Sequence, residues 1–216
     1  MSKELVKRIL SSVILIPISI FFIIKGSFLF SLFIIIFFLI SLQEWLMMSK
    51  NSPYKIFGII FLFFSFFTIY KLRINHDNDY WFFLFVTTIC ISTDIGGFIF
   101  GKTFKGPKLT KLSPNKTYAG LFGAFIFSVI FAIIFTKYYP SKIFNLNIFI
   151  FVILISSVSQ FGDIAVSYFK RLSKIKDTGN IIPGHGGVLD RIDGMIFAFP
   201  LSYFIFLTDY IKWKKK

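Results

Sequence analysis

The chain has 216 residues, 56% of them hydrophobic and only 16% charged, with a mean hydropathy of +0.76. Soluble domains carry about 25% charged residues, so that class is excluded, and the apolar runs are long enough to cross a bilayer core about 30 Å thick. The net charge of +14 fits Lys and Arg in cytoplasmic loops facing anionic lipid headgroups, and nucleic acid is not an expected partner. Seven spans are predicted in chain order: 9–24, 28–47, 56–70, 80–101, 118–138, 147–169 and 190–211. The first and third are short for a span of about 20 residues. The expected fold is all-α: a polytopic transmembrane helical bundle of about seven spans with two cytoplasmic active-site loops. It forms one domain, 1–216, with N-terminal spans in 1–80 and a catalytic core in 81–211.

Lys3, Lys7 and Arg8 precede the first span, and no small-x-small cleavage site follows it, so a retained helix is expected. With the N-terminus cytoplasmic, inside segments carry 15 Lys and Arg and outside segments 9, four of the latter in the tail Lys212, Lys214, Lys215 and Lys216. The loops after spans four and six then face the same side. Cys90, the only cysteine, excludes an intrachain disulfide and is read as a packing residue. The 33 Phe are read as lipid-facing filler, Trp45 as an interfacial belt aromatic, Glu44 as structural and His76 as solvated.

Polar residues inside spans carry more information. Ser156, Ser159, Gln160, Asp163, Ser167 and Lys170 recur at steps of three and four, on one helical face. Interhelical hydrogen bonding accounts for the serines at about 0.6 kcal/mol per contact. It does not account for Asp163, since an ionised Asp costs about 2.5–3.5 kcal/mol at a helix centre. Asp94 in span four is a second candidate. Gly97 and Gly101, and the series Gly120, Ala124, Ser128 and Ala132 in span five, form small-residue seams suited to packing.

The loop after span four carries five Lys and no acid. It is read either as a lipid anchor or, through Ser113-Pro114-Asn115-Lys116-Thr117 ahead of a helix, as an anion site. A Walker P-loop is excluded by spacing. The loop after span six sets Lys170, Arg171, Lys176 and Arg191 among Asp177 and His185, with Gly184, Gly186 and Gly187 allowing close backbone approach. Asp190 and Asp193 follow, and hard oxygen ligands of this kind suit Mg2+ together with substrate phosphates.

At Ser167-x2-Lys170-Arg171-x4-Lys176-Asp177 and Pro183-Gly184-His185-Gly186-Gly187-x2-Asp190-Arg191-x-Asp193 the chain resembles the phosphatidate cytidylyltransferase (CDP-diglyceride synthase) family. Gln160-x-Gly162-Asp163, the Ser113 to Thr117 run and Asp94 with its following glycines extend the resemblance over roughly residues 90 to 200. The chain is shorter than typical members, as if by one N-terminal hairpin. The resemblance implies transfer of the cytidylyl group of CTP to phosphatidate, giving CDP-diacylglycerol and pyrophosphate for phospholipid biosynthesis, at the cytoplasmic face of a bacterial inner or cell membrane. It implies a paired-metal site with Mg2+ on Asp163 and Asp190. Asp193 is assigned to their support or to a second cation. Lys170, Arg171, Lys176 and Arg191 are assigned to the triphosphate and lipid phosphate. Asp177 counts as catalytic, and His185 with Gly186 and Gly187 shapes the phosphate turn. Ser113, Asn115, Lys116, Thr117 and Ser167 complete the substrate site. The rival readings are a CTP-dependent polyprenol or phytol kinase and a small transporter. A CDP-alcohol phosphotransferase is disfavoured because Asp193-Gly194 lacks the expected continuation. A homodimer through the small-residue seams is the assembly considered.

Overall fold

The computed structural model describes residues 3–50, 52–74, 80–110, 113, 116–139, 145–184 and 186–208. His76, Lys142 and the tail lysines lie outside them. The helices are α1 (Lys3–Lys25), α2 (Ser27–Met48), α3 (Lys55–Ile74), α4 (Trp81–Phe104), α5 (Tyr118–Tyr138), α6 (Leu146–Leu172), α7 (Leu189–Ile192) and α8 (Met195–Leu207). Only two isolated antiparallel bridges, Lys108 to Thr117 and Ile182 to Gly186, interrupt this all-α pattern among the described residues. Among the described residues, five helices, α2 to α6, are long and apolar enough to cross a membrane.

Spans two to six of the expected seven correspond to these helices, and the two end spans correspond to α1 and to α7 with α8. Among the described residues, α1 contains the apolar stretch Val13–Lys25, and α8 is 13 residues long. The expected seventh span breaks at Asp193 and Gly194, although both keep right-handed helical backbone angles. The third span, expected to be short, is a full 20-residue helix.

The chain divides into two compact units, Met1–Tyr80 with Phe169–Asp193, and Trp81–Tyr168 with Gly194–Lys216. In the first, α1 ends at Gly26 (φ 61) and Ser27 (φ 50). Terminal carbonyls of a helix need donors, and Arg73 of α3 supplies them. Its Nε donates to the Ile23 carbonyl at 2.8 Å and its Nη2 to that of Ile24 at 3.4 Å. The guanidinium, only 3% exposed, also lies over the rings of Phe30 and Tyr80. A Cβ on Gly26 would stand 2.5 Å from Nη2. Arg73 is thus a buried helix cap.

Trp45, expected at the interface, is 4% exposed. It lies against Tyr54 and Phe169, donates from Nε1 to the Lys55 carbonyl at 3.1 Å, and fills the space that Gly58 leaves. A Cβ at 58 would be 1.8 Å from the indole.

In the second unit, α4 packs on α5 through glycine. A Cβ on Gly96 would meet the Gly123 carbonyl at 2.4 Å, and one on Gly120 the Gly97 carbonyl at 2.8 Å. The small-residue seam is therefore used within the chain, and Ala124, Ser128 and Ala132 are buried along it. Phe82, Phe85 and Phe151 form a ring cluster with no exposure. Phenylalanine is core here as well as outward-facing filler such as Phe98 and Phe122. Thr93 of α4 donates to Ser156 of α6 at 2.9 Å, which places one part of the polar stripe.

Arg73→Met removes the donors to the buried Ile23 carbonyl and the part-buried Ile24 carbonyl. Each orphaned group costs about 1–3 kcal/mol, so thermal unfolding in detergent is expected at a clearly lower temperature than for the native chain.

Candidate active site

In the first unit the site is built from the end of α6, the loop that follows and one residue of α2. The helix closes with Lys174 in the left-handed region (φ 57). Ile175 N–H bonds to the Lys170 carbonyl and Lys174 N–H to that of Arg171, both at 3.0 Å, which is the Schellman pattern. The Arg171 guanidinium clamps the turn by donating to the Ile175 carbonyl. This ending fixes Lys170, whose side chain is 10% exposed, at the mouth of the loop.

The Lys170 ammonium donates to Asp190 Oδ1 at 2.8 Å. The backbone N–H groups of Thr178 and Gly187 donate to Asp190 Oδ2 at 2.8 and 3.0 Å. Burial alone would raise the Asp190 pKa, but the Lys170 hydrogen bond and charge, with the two N–H donors, hold it below the ordinary value of 3.8. Gly186 adopts φ 85, and a Cβ there would sit 2.8 Å from Asp190 Oδ2 and 3.3 Å from the Asp177 Cβ. Both backbone angle and space therefore require glycine. Asp177 and Asp190 flank that residue. The turn is closed by Ile182 N–H to the Gly186 carbonyl at 2.9 Å.

Behind this loop sits Glu44, with no exposure. Its carboxylate accepts from Thr178 Oγ1 at 3.0 Å, Val188 N–H at 2.9 Å and Leu189 N–H at 2.8 Å. A Cβ on Gly179 or Gly187 would approach its oxygens to 2.8 or 2.5 Å. The sequence alone reads Glu44 as a structural acid and gives no sign of Thr178. The available signal was that Glu44 is the lone ionisable residue in the apolar helix Ser27–Met48.

In the second unit, the Lys116 ammonium pairs with Asp163 Oδ2, and lies 3.5 Å from the Gln160 carbonyl. Ser167 donates to Asp163 Oδ1 at 3.4 Å. Thr117 caps α5 by accepting from Gly120 N–H at 3.1 Å. Ser113 belongs to the turn before it, its carbonyl accepting from Lys116 N–H at 3.0 Å. Leu109 N–H bonds to the Lys116 carbonyl at 2.8 Å, so the loop holds Lys116 from both sides.

The structure thus brings together Lys170, Asp177, Gly186, Gly187 and Asp190 in one unit, and Lys116, Asp163 and Ser167 in the other. Lys176 and Arg191 are exposed, Asp193 is half-buried and Asp94 is exposed on α4. Asn115 and His185 lie outside the described residues. No group of three His, Cys, Asp or Glu forms a metal cage among the described residues. Mg2+ commonly takes one or two carboxylates and draws its other ligands from water and phosphate. The lysine-held carboxylates of Asp163 and Asp190 fit that mode: three donors occupy Asp190, leaving room for one further partner on a carboxylate with about four lone-pair sites.

Residues 54–208 match the Cytidylyltransferase family. A phosphatidate cytidylyltransferase of Rickettsia felis is 36% identical over 92% of this chain and 90% of its own length, and one of Rickettsia bellii is 36% identical over 92% and 89%. The phosphatidate cytidylyltransferase of Bacillus subtilis is 35% identical over 63% of this chain and 52% of its own length. The matched stretch contains both lysine-held carboxylates, and this chain belongs to the phosphatidate cytidylyltransferase (CDP-diglyceride synthase) family.

Proposed function

We propose that the protein transfers the cytidylyl group of CTP to phosphatidate in a Mg2+-dependent reaction at the cytoplasmic leaflet of a cell membrane. A phosphatidate phosphate oxygen bonds to the α-phosphorus of CTP, the bond from that phosphorus to the β-phosphate bridging oxygen breaks, and pyrophosphate leaves. No covalent intermediate on the protein is needed. The observation that carries the reading is Asp190, a buried carboxylate held at three points beside exposed Lys176 and Arg191, in a chain whose relatives carry this activity in their names.

Both reactants are polyanions, so the protein's work is alignment and neutralisation. Asp163 and Asp190 each offer a hard oxygen ligand to Mg2+, which when bound supplies positive charge to the phosphate oxygens. Lys116 and Lys170 hold these carboxylates in place and have further N–H donors for phosphate. Lys176 and Arg191 gather the incoming anions, while His185 is assigned to the phosphate turn and Asn115 to the loop that closes the substrate site. Arg171 keeps the α6 ending rigid. Asp177 and Asp193 add negative charge for Mg2+ or a second cation. The Gly186 and Gly187 turn lets the backbone close on Asp190 and Glu44, where a Cβ would stand 2.8 and 2.5 Å from their oxygens, and so shapes the phosphate turn. Ser113, Thr117 and Ser167 shape the substrate walls.

Purified protein in detergent, given CTP, Mg2+ and phosphatidate, is expected to release pyrophosphate and to place the cytidine label in lipid. Label remaining in free nucleotide while lipid gains phosphate would point to a CTP-dependent kinase instead. Asp190→Asn is expected to lower turnover by at least roughly 10²-fold, the scale of losing one preorganised electrostatic group, and Asp163→Asn to act in the same direction. The pH dependence of stability has a defined sign. The Asp190 contribution is fully present above its unfolded value of 3.8 and is lost as pH falls through the lower folded value. Acid titration of unfolding in detergent is expected to show this loss in the native chain and not in Asp190→Asn.

A further inference from the structure

We infer that Glu44 is a positioning residue for this reaction: from α2 it sets the backbone that aims Asp190. The inference rests on the cytidylyl-transfer reading and goes beyond it. Thr178, Gly187, Val188 and Leu189 divide their donors between two carboxylates. Thr178 gives its hydroxyl to Glu44 and its N–H to Asp190. Gly187 gives its N–H to Asp190, and the next two residues, Val188 and Leu189, give theirs to Glu44. Of the two N–H groups on Asp190 Oδ2, one belongs to Thr178, whose hydroxyl bonds to Glu44, and the other to Gly187, whose next residue, Val188, bonds to Glu44.

These three partners are neutral and directional. A cation would neutralise Glu44 from many angles, whereas a hydroxyl and two consecutive N–H groups fix where the backbone runs. The two glycines that touch Glu44 tighten the arrangement. A side chain at 187 would strike Glu44 Oε2 at 2.5 Å and Thr178 Oγ1 at 2.3 Å, and one at 179 would strike Glu44 Oε1 at 2.8 Å. The loop closes on this carboxylate with no spare methyl's width. Moving it moves the N–H pair, and with it the oxygen that Asp190 presents.

The test compares native chain, Glu44→Gln and Thr178→Val in detergent, with two readouts. The first is Mn2+ affinity by electron paramagnetic resonance with CTP present and phosphatidate absent. The second is the Mg2+ concentration for half-maximal pyrophosphate release at saturating CTP and phosphatidate. Outer partners of a metal-ligating group contribute about 10- to 100-fold to metal affinity or activity. Glu44→Gln is expected to weaken Mn2+ and raise the Mg2+ requirement on that scale, while KM for phosphatidate stays near the native value. Thr178→Val, which removes one donor and keeps Glu44, is expected to shift both in the same direction by less. A merely structural Glu44 would reduce the amount of folded protein and leave the folded fraction with native metal affinity, and that result overturns the proposal. If Glu44→Gln yields no folded protein, Thr178→Val decides, unchanged metal affinity again overturning it. A native chain that binds Mn2+ with CTP yet transfers no cytidylyl group sinks the functional reading. A native chain that does transfer it, beside an indistinguishable Glu44→Gln, sinks only the role of Glu44.

Discussion

A buried acid from α2 organises the polar loop after α6 in a predominantly apolar chain. Placing a carboxylate at zero exposure is costly unless its lone pairs are met, and here three donors from residues 178 to 189 meet them. Those donors come from residues 134 to 145 positions away. The interaction therefore closes a long stretch of chain and gives the loop a single path. The tight fits at Gly179, Gly186 and Gly187 follow from that path, as does the pair of N–H groups on Asp190.

The proposed chemistry asks little of the protein in covalent terms and much in placement. Each candidate ligand carboxylate is kept company by one lysine, Lys170 for Asp190 and Lys116 for Asp163. The lysines themselves are held by backbone: Lys170 by the Schellman ending of α6, and Lys116 by its hydrogen bonds with Ser113 and Leu109. Regular structure thus delivers charge to fixed points, which is the part of phosphate chemistry that a helical scaffold can supply.

Much of the helix plan was legible in the sequence because run length decides it. The fifth span, 118–138, agrees with α5, and the fourth and sixth differ from α4 and α6 by only a few residues. The ends of the plan were less legible. Span seven reads as one apolar run, yet its N-terminal turn belongs with the polar loop, and Gly194 packs against Ser159 where a Cβ would meet the hydroxyl at 2.4 Å. Site residues were legible as residue types at fixed spacing, but their partners were not. Nothing local in the sequence says that Lys116 meets Asp163, or that Arg73 caps α1. Trp45 was misplaced for the same reason: an aromatic residue at a helix end suits an interface, and only the bare backbone of Gly58 makes room to bury it.

The two lysine–carboxylate pairs differ in how far solvent reaches them. Side chains in the Lys170 and Asp190 pair are 10% and 4% exposed, against 23% and 32% for Lys116 and Asp163. Mobile counterions screen charges they can approach, with a Debye length of about 8 Å at physiological ionic strength, and they act weakly on pairs sealed from water. Added salt should therefore loosen the α6 carboxylate's partner well before it touches the one at α7. The protein carries one salt-responsive clasp and one indifferent to the bath.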